Sequence, residues 1–230
     1  MKRILITGAS RGIGRAIAEK LAAPETTLLL QGRDESALAE RKRSVEDRGA
    51  RAEILTCDLA DPNAVSAFAE RIARGSLDVL VNNAGIAVVK ALADVSLGEW
   101  QRSVDVNVTA PFILTQKLAP ILPTGGSIVN ILSIAAKNGF PGWSTYCMSK
   151  FALEGFTQSL REELRPRGIR VINIYPAATA TEIWNSVEGE WPREKMMSSA
   201  QIADAVHYAL SQPAAVAVEN ITLSNTAGAL

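Results

Sequence analysis

The chain has 230 residues, 47% of them hydrophobic, and its 24 basic side chains are balanced by 24 acidic ones. That length suits one domain, the apolar share suits a packed core, and the zero balance offers no bulk charge to attract nucleic acid or an anionic membrane. No apolar run approaches the ~18 residues of a membrane helix, and the short apolar start, broken by Gly8, is no secretory leader, so a cytoplasmic protein is expected.

In chain order, apolar runs bounded by breakers lie at 4–6, 27–30, 52–55, 79–81, 127–132 and 170–174. Near-continuous apolar strands of this kind are covered on both faces, as in parallel sheets. Between them, helical periodicity appears at 13–21 and 64–72, and again in Phe151, Leu153, Phe156, Leu160 and Leu164. The alternation predicts right-handed crossovers and an α/β fold. The expectation is a single Rossmann-type domain, 1–230, a doubly wound parallel sheet of about seven strands with helices on both faces. The last strand is expected at 216–223, followed by a short polar tail. Cys57 and Cys147 make no disulfide framework, and with His207 they lack zinc-ligand spacing, so nothing points to a metal site.

Directly after the first strand comes Thr7-Gly8-Ala9-Ser10-Arg11-Gly12-Ile13-Gly14, and then a helix. Glycines there allow a tight turn and a close approach of backbone N–H groups to a pyrophosphate, and the helix N-terminus favours the anion. The spacing Thr-Gly-x-x-x-Gly-x-Gly resembles the short-chain dehydrogenase/reductase family. Further matches follow in order: Asn82-Asn83-Ala84-Gly85 after the fourth strand, Asn107 in a helix, Ser133, and Tyr146-x-x-x-Lys150, with Ser133 13 residues before Tyr146. The resemblance runs from residue 4 to about 181, and it implies a dinucleotide-dependent oxidoreductase. It implies a cofactor half of about 1–130, holding Gly8, Ser10, Arg11, Gly12, Ile13, Gly14, Asn83, Ala84 and Gly85, and a catalytic and substrate-lid half of about 131–230.

The second strand ends Gln31-Gly32-Arg33-Asp34, with Gly32 where an NAD-selecting acid would stand. Arg33 and Arg11 converging on one ribose suit a 2′-phosphate, which guanidinium groups grip with paired hydrogen bonds, so NADP(H) is expected. The alternative, NAD(H), makes Asp34 the ribose ligand, although Asp34 also suits the N-cap of a helix over 36–45. Asp58, followed by Leu59, matches the family position facing the adenine. Asp58 could instead cap the helix after Pro62, a task for which Asp61 is nearer.

Tyr146 and Lys150 are four apart and share one helix face. An ammonium beside the phenol is expected to lower its pKa towards the working range, making Tyr146 a general acid/base. Ser133 would hold the substrate oxygen. The resemblance gives Lys150 the nicotinamide ribose and Asn107 a water leading from Lys150 to solvent. It also gives Pro176, Thr179 and Thr181 the nicotinamide end. Where the family commonly has Pro-Gly, this chain has Pro176-Ala177, so a changed local backbone is expected if the turn needs positive φ.

The stretch 177–199 reads either as a lid or as a surface excursion with its own small core. Trp143, Trp184, Trp191, Phe140 and Met196-Met197 either wall an apolar pocket or pack that lid. The leading expectation is an NADPH-dependent carbonyl reductase or alcohol dehydrogenase acting on a small ketone, aldehyde or secondary alcohol. The alternatives are a 3-oxoacyl-thioester reductase and a non-catalytic redox sensor. By resemblance it forms a homodimer or homotetramer through the helices after Ala91 and after Tyr146, with no nucleic-acid or membrane partner.

Overall fold

In the computed structural model, which describes residues 1–187, 189 and 191–226, the six apolar runs and the expected last strand become seven strands of one sheet. These are β1 (Lys2–Ile6), β2 (Thr26–Gly32), β3 (Arg51–Thr56), β4 (Val79–Asn82), β5 (Ser127–Ile131), β6 (Arg170–Pro176) and β7 (Asn220–Leu223). All pair in parallel, in the order β3-β2-β1-β4-β5-β6-β7. The α-helices are α1 (Gly12–Leu21), α2 (Glu35–Glu46), α3 (Pro62–Ala73), α4 (Leu97–Val104), α5 (Ala110–Leu118), α6 (Ser144–Leu164) and α7 (Ser199–Ser211).

Successive strand residues point to opposite faces, and both faces are apolar. Ile4, Ile6, Leu28, Leu30, Val79 and Val81 pack with Ile17, Leu38 and Val206 of α1, α2 and α7. Leu5, Leu29, Leu80 and Ile128 pack on the opposite side with Val65, Leu114 and Leu160 of α3, α5 and α6. The doubly wound architecture expected from the alternation is the one found.

Helix starts follow their capping residues. Asp34 caps α2, its carboxylate accepting the Ala37 N–H at 3.0 Å, and Asp61 caps α3 by accepting from Asn63 and Ala64. Ser96 with Glu99 and Ser198 with Gln201 form capping boxes on α4 and α7. The last strand begins at Asn220, not at 216, because the Val216 N–H turns back to donate to the Pro213 carbonyl. Residues 227–230 of the expected tail lie outside the described residues.

Near the C-terminal ends of the middle strands, Asn82, Asn130 and Asn173 stand in register. Asn82 Nδ2 donates to Asn130 Oδ1 at 2.9 Å, Asn130 Nδ2 to Asn173 Oδ1 at 3.1 Å, and Asn173 Nδ2 to Thr157 Oγ1 at 2.9 Å. This buried ladder ties β4, β5 and β6 to α6 at the level where the chain leaves the sheet. The strand order reverses between β1 and β4, and there the crevice of a doubly wound sheet opens. No helix among the described residues is long and apolar enough to cross a membrane, and no group of three or more His, Cys, Asp or Glu among them could hold a metal ion.

Candidate active site

Two cavities open at the C-terminal edge of the sheet. One, of about 240 Å³, lies along the glycine-rich turn, and the other, of about 370 Å³, lies against α6. Ile13, Asn83, Gly85, Thr181 and Ile183 line both, so the two form one continuous cleft.

The first cavity is shaped by backbone. Gly8 and Gly12 adopt φ of 65° and 54°, in the left-handed region open to glycine. Gly14 stands behind the cavity rather than on its wall, and a Cβ there would come within 2.2 Å of the Gly8 carbonyl oxygen. Its role is therefore to let α1 pack on the turn. Thr7 Oγ1 accepts from the Asn83 and Ala84 N–H groups and donates to the Val81 carbonyl, while Asn83 Nδ2 donates to the Thr7 carbonyl at 2.8 Å. Thr7 and Asn83 thus lock the ends of β1 and β4 together, leaving Ala84 and Gly85 on the wall.

Ser10, Arg11, Gly32, Arg33, Asp58 and Leu59 line this cavity with the glycines. The side chains of Arg11 and Arg33 have no ion-pair partner among the described residues. Asp34 is not on the wall, and its carboxylate is committed to capping α2. Asp58 remains on the wall, where its carboxylate also accepts the Ala60 N–H at 3.1 Å, and the cap of α3 belongs to Asp61. Positive-φ glycines beside a helix N-terminus and exposed guanidinium groups fit the pyrophosphate and phosphates of a dinucleotide.

Among the wall residues that were not foreseen, three are polar or charged. Gln31 accepts the Gly8 N–H and donates to the Cys57 carbonyl, and a polar residue closing an apolar strand was its visible signal. Arg102 of α4 also lines the cavity, brought there only by the tertiary fold. Glu182 places Oε2 3.4 Å from where a Cβ on Gly12 would sit, beside Thr181.

The second cavity brings together Ser133, Tyr146 and Lys150. Ser133 follows β5 and caps a short 3-10 turn, Ile134–Ala136, by accepting the Ala135 N–H at 3.1 Å. Its own hydrogen is thereby left for the Tyr146 oxygen. Lys150, one turn along α6, is buried, donates Nζ to the Ile131 carbonyl at 2.9 Å and lies 5.6 Å from the Tyr146 ring centroid. Burial pushes the Tyr146 phenol up to about 12, against the hydrogen bond from Ser133, and pulls the Lys150 ammonium down to about 8. The lowered phenol expected from the sequence is therefore not present: desolvation outweighs the neighbouring groups.

Asn107 lies in a π-helical turn, Asp105–Thr109, between α4 and α5. Its Oδ1 accepts the Ile86 N–H, and Nδ2 donates to the Ile86 carbonyl and to Ser149 Oγ. Its Oδ1 and Lys150 Nζ lie 3.4 and 3.6 Å from a Cβ built on Gly85, so both face the same small space.

Pro176, Ala177 and Thr179 form one wall. Among the described residues no non-glycine has positive φ, and the Ala177 N–H donates to the Leu223 carbonyl, so alanine continues the β6–β7 ladder without strain. Described residues of the 177–199 stretch pack with one another and also line both cavities. A bridge between Thr179 and Met197 closes it at the base, Thr181 and Glu182 reach the first cavity, and Trp184, Val187 and Trp191 wall the second. Phe140 and Trp143 complete that wall. Met196 and Met197 do not: Met196 packs beneath the indoles and Met197 in the sheet core.

A parallel sheet with a glycine turn at its switch point and a Ser-Tyr-Lys set beside it defines a dinucleotide-dependent oxidoreductase of the α/β class. The short chain dehydrogenase profile matches residues 2–191, and the chain belongs to this family. It is 35% identical to the sepiapterin reductase of Chlorobaculum tepidum, over 99% of this chain and 98% of that one. A Burkholderia cenocepacia short chain dehydrogenase in complex with NADP superposes with a TM-score of 0.88 at 34% identity, covering 97% of this chain and 96% of its own. An alcohol dehydrogenase from Thermococcus sibiricus complexed with 5-hydroxy-NADP gives a TM-score of 0.90 at 28% identity, covering 98% and 97%.

Proposed function

We propose that the protein is an NADPH-dependent carbonyl reductase, working in reverse as a secondary-alcohol dehydrogenase. The observation that carries this reading is that Ser133, Tyr146 and Lys150 face an apolar cavity continuous with a cleft bearing Arg11 and Arg33. The hydride comes from the nicotinamide of bound NADPH. Tyr146, protonated at neutral pH, donates its hydroxyl proton to the substrate oxygen, and Ser133 Oγ holds that oxygen in line. Lys150, still charged below about pH 8, stabilises the phenolate left behind. Water in the space shared by Asn107 and Lys150 beside Gly85 returns the proton from solvent.

The 2′-phosphate falls to Arg11 and Arg33, with Gly32 removing the acid that would repel it. Residues up to about 130 hold the adenosine and phosphates, with Gly8, Ser10, Gly12 and Ile13 at the pyrophosphate and Asp58 and Leu59 at the adenine. Later residues hold the chemistry and the lid, with Pro176, Thr179 and Thr181 at the nicotinamide. The exposed apolar side chains Leu97, Trp100, Phe112 and Phe151 on α4, α5 and α6 support a homo-oligomer joined through these helices.

The test is NADPH consumption against a panel of aryl ketones, aldehydes, diketones and 3-oxoacyl thioesters. Turnover of ketones with NADPH well ahead of NADH is expected. Turnover restricted to acyl thioesters overturns the substrate class, and equal use of NADH overturns the cofactor assignment.

A further inference from the structure

Asn107 stands in the π-helical turn Asp105–Thr109, where the Ala110 N–H reaches back to the Asp105 carbonyl, one residue further than in an ordinary helical turn. The regular ladder is interrupted there, so side chains help to set where the turn stands. Two residues hold the Asn107 amide. Ile86 offers its N–H to Oδ1 and its carbonyl to Nδ2, both at 2.9 Å, which decides the way the amide faces. The remaining Nδ2 hydrogen goes to Ser149 Oγ at 3.0 Å, and Ser149 in turn donates to the Tyr146 carbonyl at 2.8 Å. Ser149 is fully buried and lines neither cavity, so its hydroxyl works on other protein groups and not on a ligand.

These bonds use both hydrogens of the Asn107 amide and leave a lone pair on Oδ1. Oδ1 and Lys150 Nζ both border the point where a Cβ on Gly85 would sit, at 3.4 and 3.6 Å, and glycine leaves that point empty of side chain. Lys150 spends one hydrogen on the Ile131 carbonyl, so its ammonium has others to turn towards this space. The Ser149 hydroxyl therefore joins one wall of the space, on the π turn, to the turn of α6 that carries Tyr146 and Lys150. Ile86 sets the direction of the amide, and Ser149 sets its distance from α6.

We propose that Ser149 is a positioning residue for the return of the proton: it pins Asn107 to α6 and, through Asn107, holds the water that passes a proton from solvent to Lys150. This rests on the carbonyl-reductase reading. In each turnover Tyr146 gives its hydroxyl proton to the substrate oxygen, and the phenolate takes a proton from the Lys150 ammonium. The resulting amine takes one from the water, whose own proton is replaced from solvent. Each enzyme molecule starts with Tyr146 protonated, so the first turnover needs no return and every later one does. Loss of the Ser149 hydroxyl slows the later turnovers and spares the first.

The test is stopped-flow and steady-state oxidation of NADPH by an aryl ketone in the wild type, Ser149→Ala and Thr157→Val. Thr157 is the control: it too is a buried hydroxyl of α6 that donates to the carbonyl three residues back, but its partner is Asn173 in the asparagine ladder. In Ser149→Ala the first turnover should stay within about twofold of the wild type, while kcat falls about five- to tenfold and KM falls with it, so that kcat/KM holds. The solvent deuterium isotope effect on kcat should rise. In Thr157→Val the first and later turnovers should change together. A Ser149→Ala protein that loses as much in the first turnover as in the later ones has displaced Tyr146 itself, which overturns the proposal. An unchanged kcat overturns it too, as does the same split in Thr157→Val. If the wild type reduces no ketone, the carbonyl-reductase reading fails, and NMR of the NADP+ complex then reads Ser149 separately. The Asn107 side-chain hydrogens should exchange with solvent about tenfold faster in Ser149→Ala than in the wild type; equal exchange overturns the positioning role.

Discussion

The two halves of the cleft are built by different means. The dinucleotide cavity is made of chain turns: Gly8 and Gly12 at positive φ, the N-terminus of α1, and strand ends tied together by Thr7 and Asn83. Its side chains add charge to a shape the backbone already has. The substrate cavity is made of side chains from segments far apart in sequence, with Phe140 and Trp143 before α6 and Trp184 and Trp191 in the lid. A backbone-built site accepts one ligand shape and varies little with single substitutions on its rim. A side-chain-built site can be re-cut by one substitution without disturbing its neighbour. On the proposed reading, the reaction class sits in the first half and in Tyr146, and substrate choice sits in the indoles.

The sharpest division between the two halves comes from Tyr146→Phe. It removes the proton donor and leaves the dinucleotide cavity untouched, so kcat should fall by about three orders of magnitude while the NADPH dissociation constant stays within about threefold. Stopped-flow turnover with fluorescence titration of NADPH measures both. A variant that keeps more than a tenth of the wild-type rate would falsify the acid role of Tyr146.

The complementary substitution is Arg33→Ala. One charge-assisted contact to a phosphate is worth about 1.5–3 kcal/mol, so NADPH affinity should drop by about 10- to 100-fold and NADH affinity by less than about twofold. Substrate KM at saturating cofactor should not move. Equal weakening of both cofactors would mean that Arg33 holds the turn rather than the 2′-phosphate.

Protonation adds a third separation, this time between the two directions of one reaction. Tyr146, raised to about 12, stays protonated across the ordinary range, which suits proton donation and therefore reduction. Lys150, lowered to about 8, loses its charge as pH rises past that value, and with it the stabilisation of the phenolate. Reduction should be flat from pH 6 to 7.5 and decline above about 8, whereas alcohol oxidation, which needs the phenolate as base, should climb into the alkaline range. Initial rates in both directions between pH 6 and 10 decide this, and a reduction rate still rising at pH 9.5 contradicts it.

How much of this was legible beforehand follows the same division. The glycine turn, Asp34 and Asp61 as caps, and the Tyr146–Lys150 pair are local in sequence, where spacing alone fixes the geometry. Arg102 and Glu182 were invisible because nothing near them in sequence points to a phosphate, and only the packing of α4 and the lid carries them to the first cavity. The tryptophans could be noticed, but whether they walled a pocket or packed a lid depended on contacts spanning some fifty residues, and they do both. Met196-Met197 could equally wall the pocket or pack the lid: Met196 packs with the indoles, and Met197, bridged to Thr179, lies in the sheet core. The Tyr146 phenol went the wrong way because sequence gives its neighbours and not its burial. The asparagine ladder was hidden for a different reason: three strand asparagines mean little until the register sets them side by side.

The smallest expected effect tests whether the lid belongs to the dinucleotide cavity as well as to the substrate cavity. Glu182 brings a carboxylate close to Gly12, at the point where a pyrophosphate would meet the N-terminus of α1. A negative charge there opposes an anionic ligand, although partial exposure and salt screen the repulsion. Glu182→Gln keeps the size and hydrogen-bonding reach of the side chain and removes only the charge. NADPH should bind about two- to fivefold more tightly at low salt, with the gain shrinking as ionic strength rises. The ketone KM should be unchanged, because the indole wall lies further along the lid. Fluorescence titration of NADPH at two salt concentrations checks this. If the affinity is the same in both proteins, the lid carboxylate swings clear of the phosphates when the cofactor enters, and the lid answers to the substrate cavity alone.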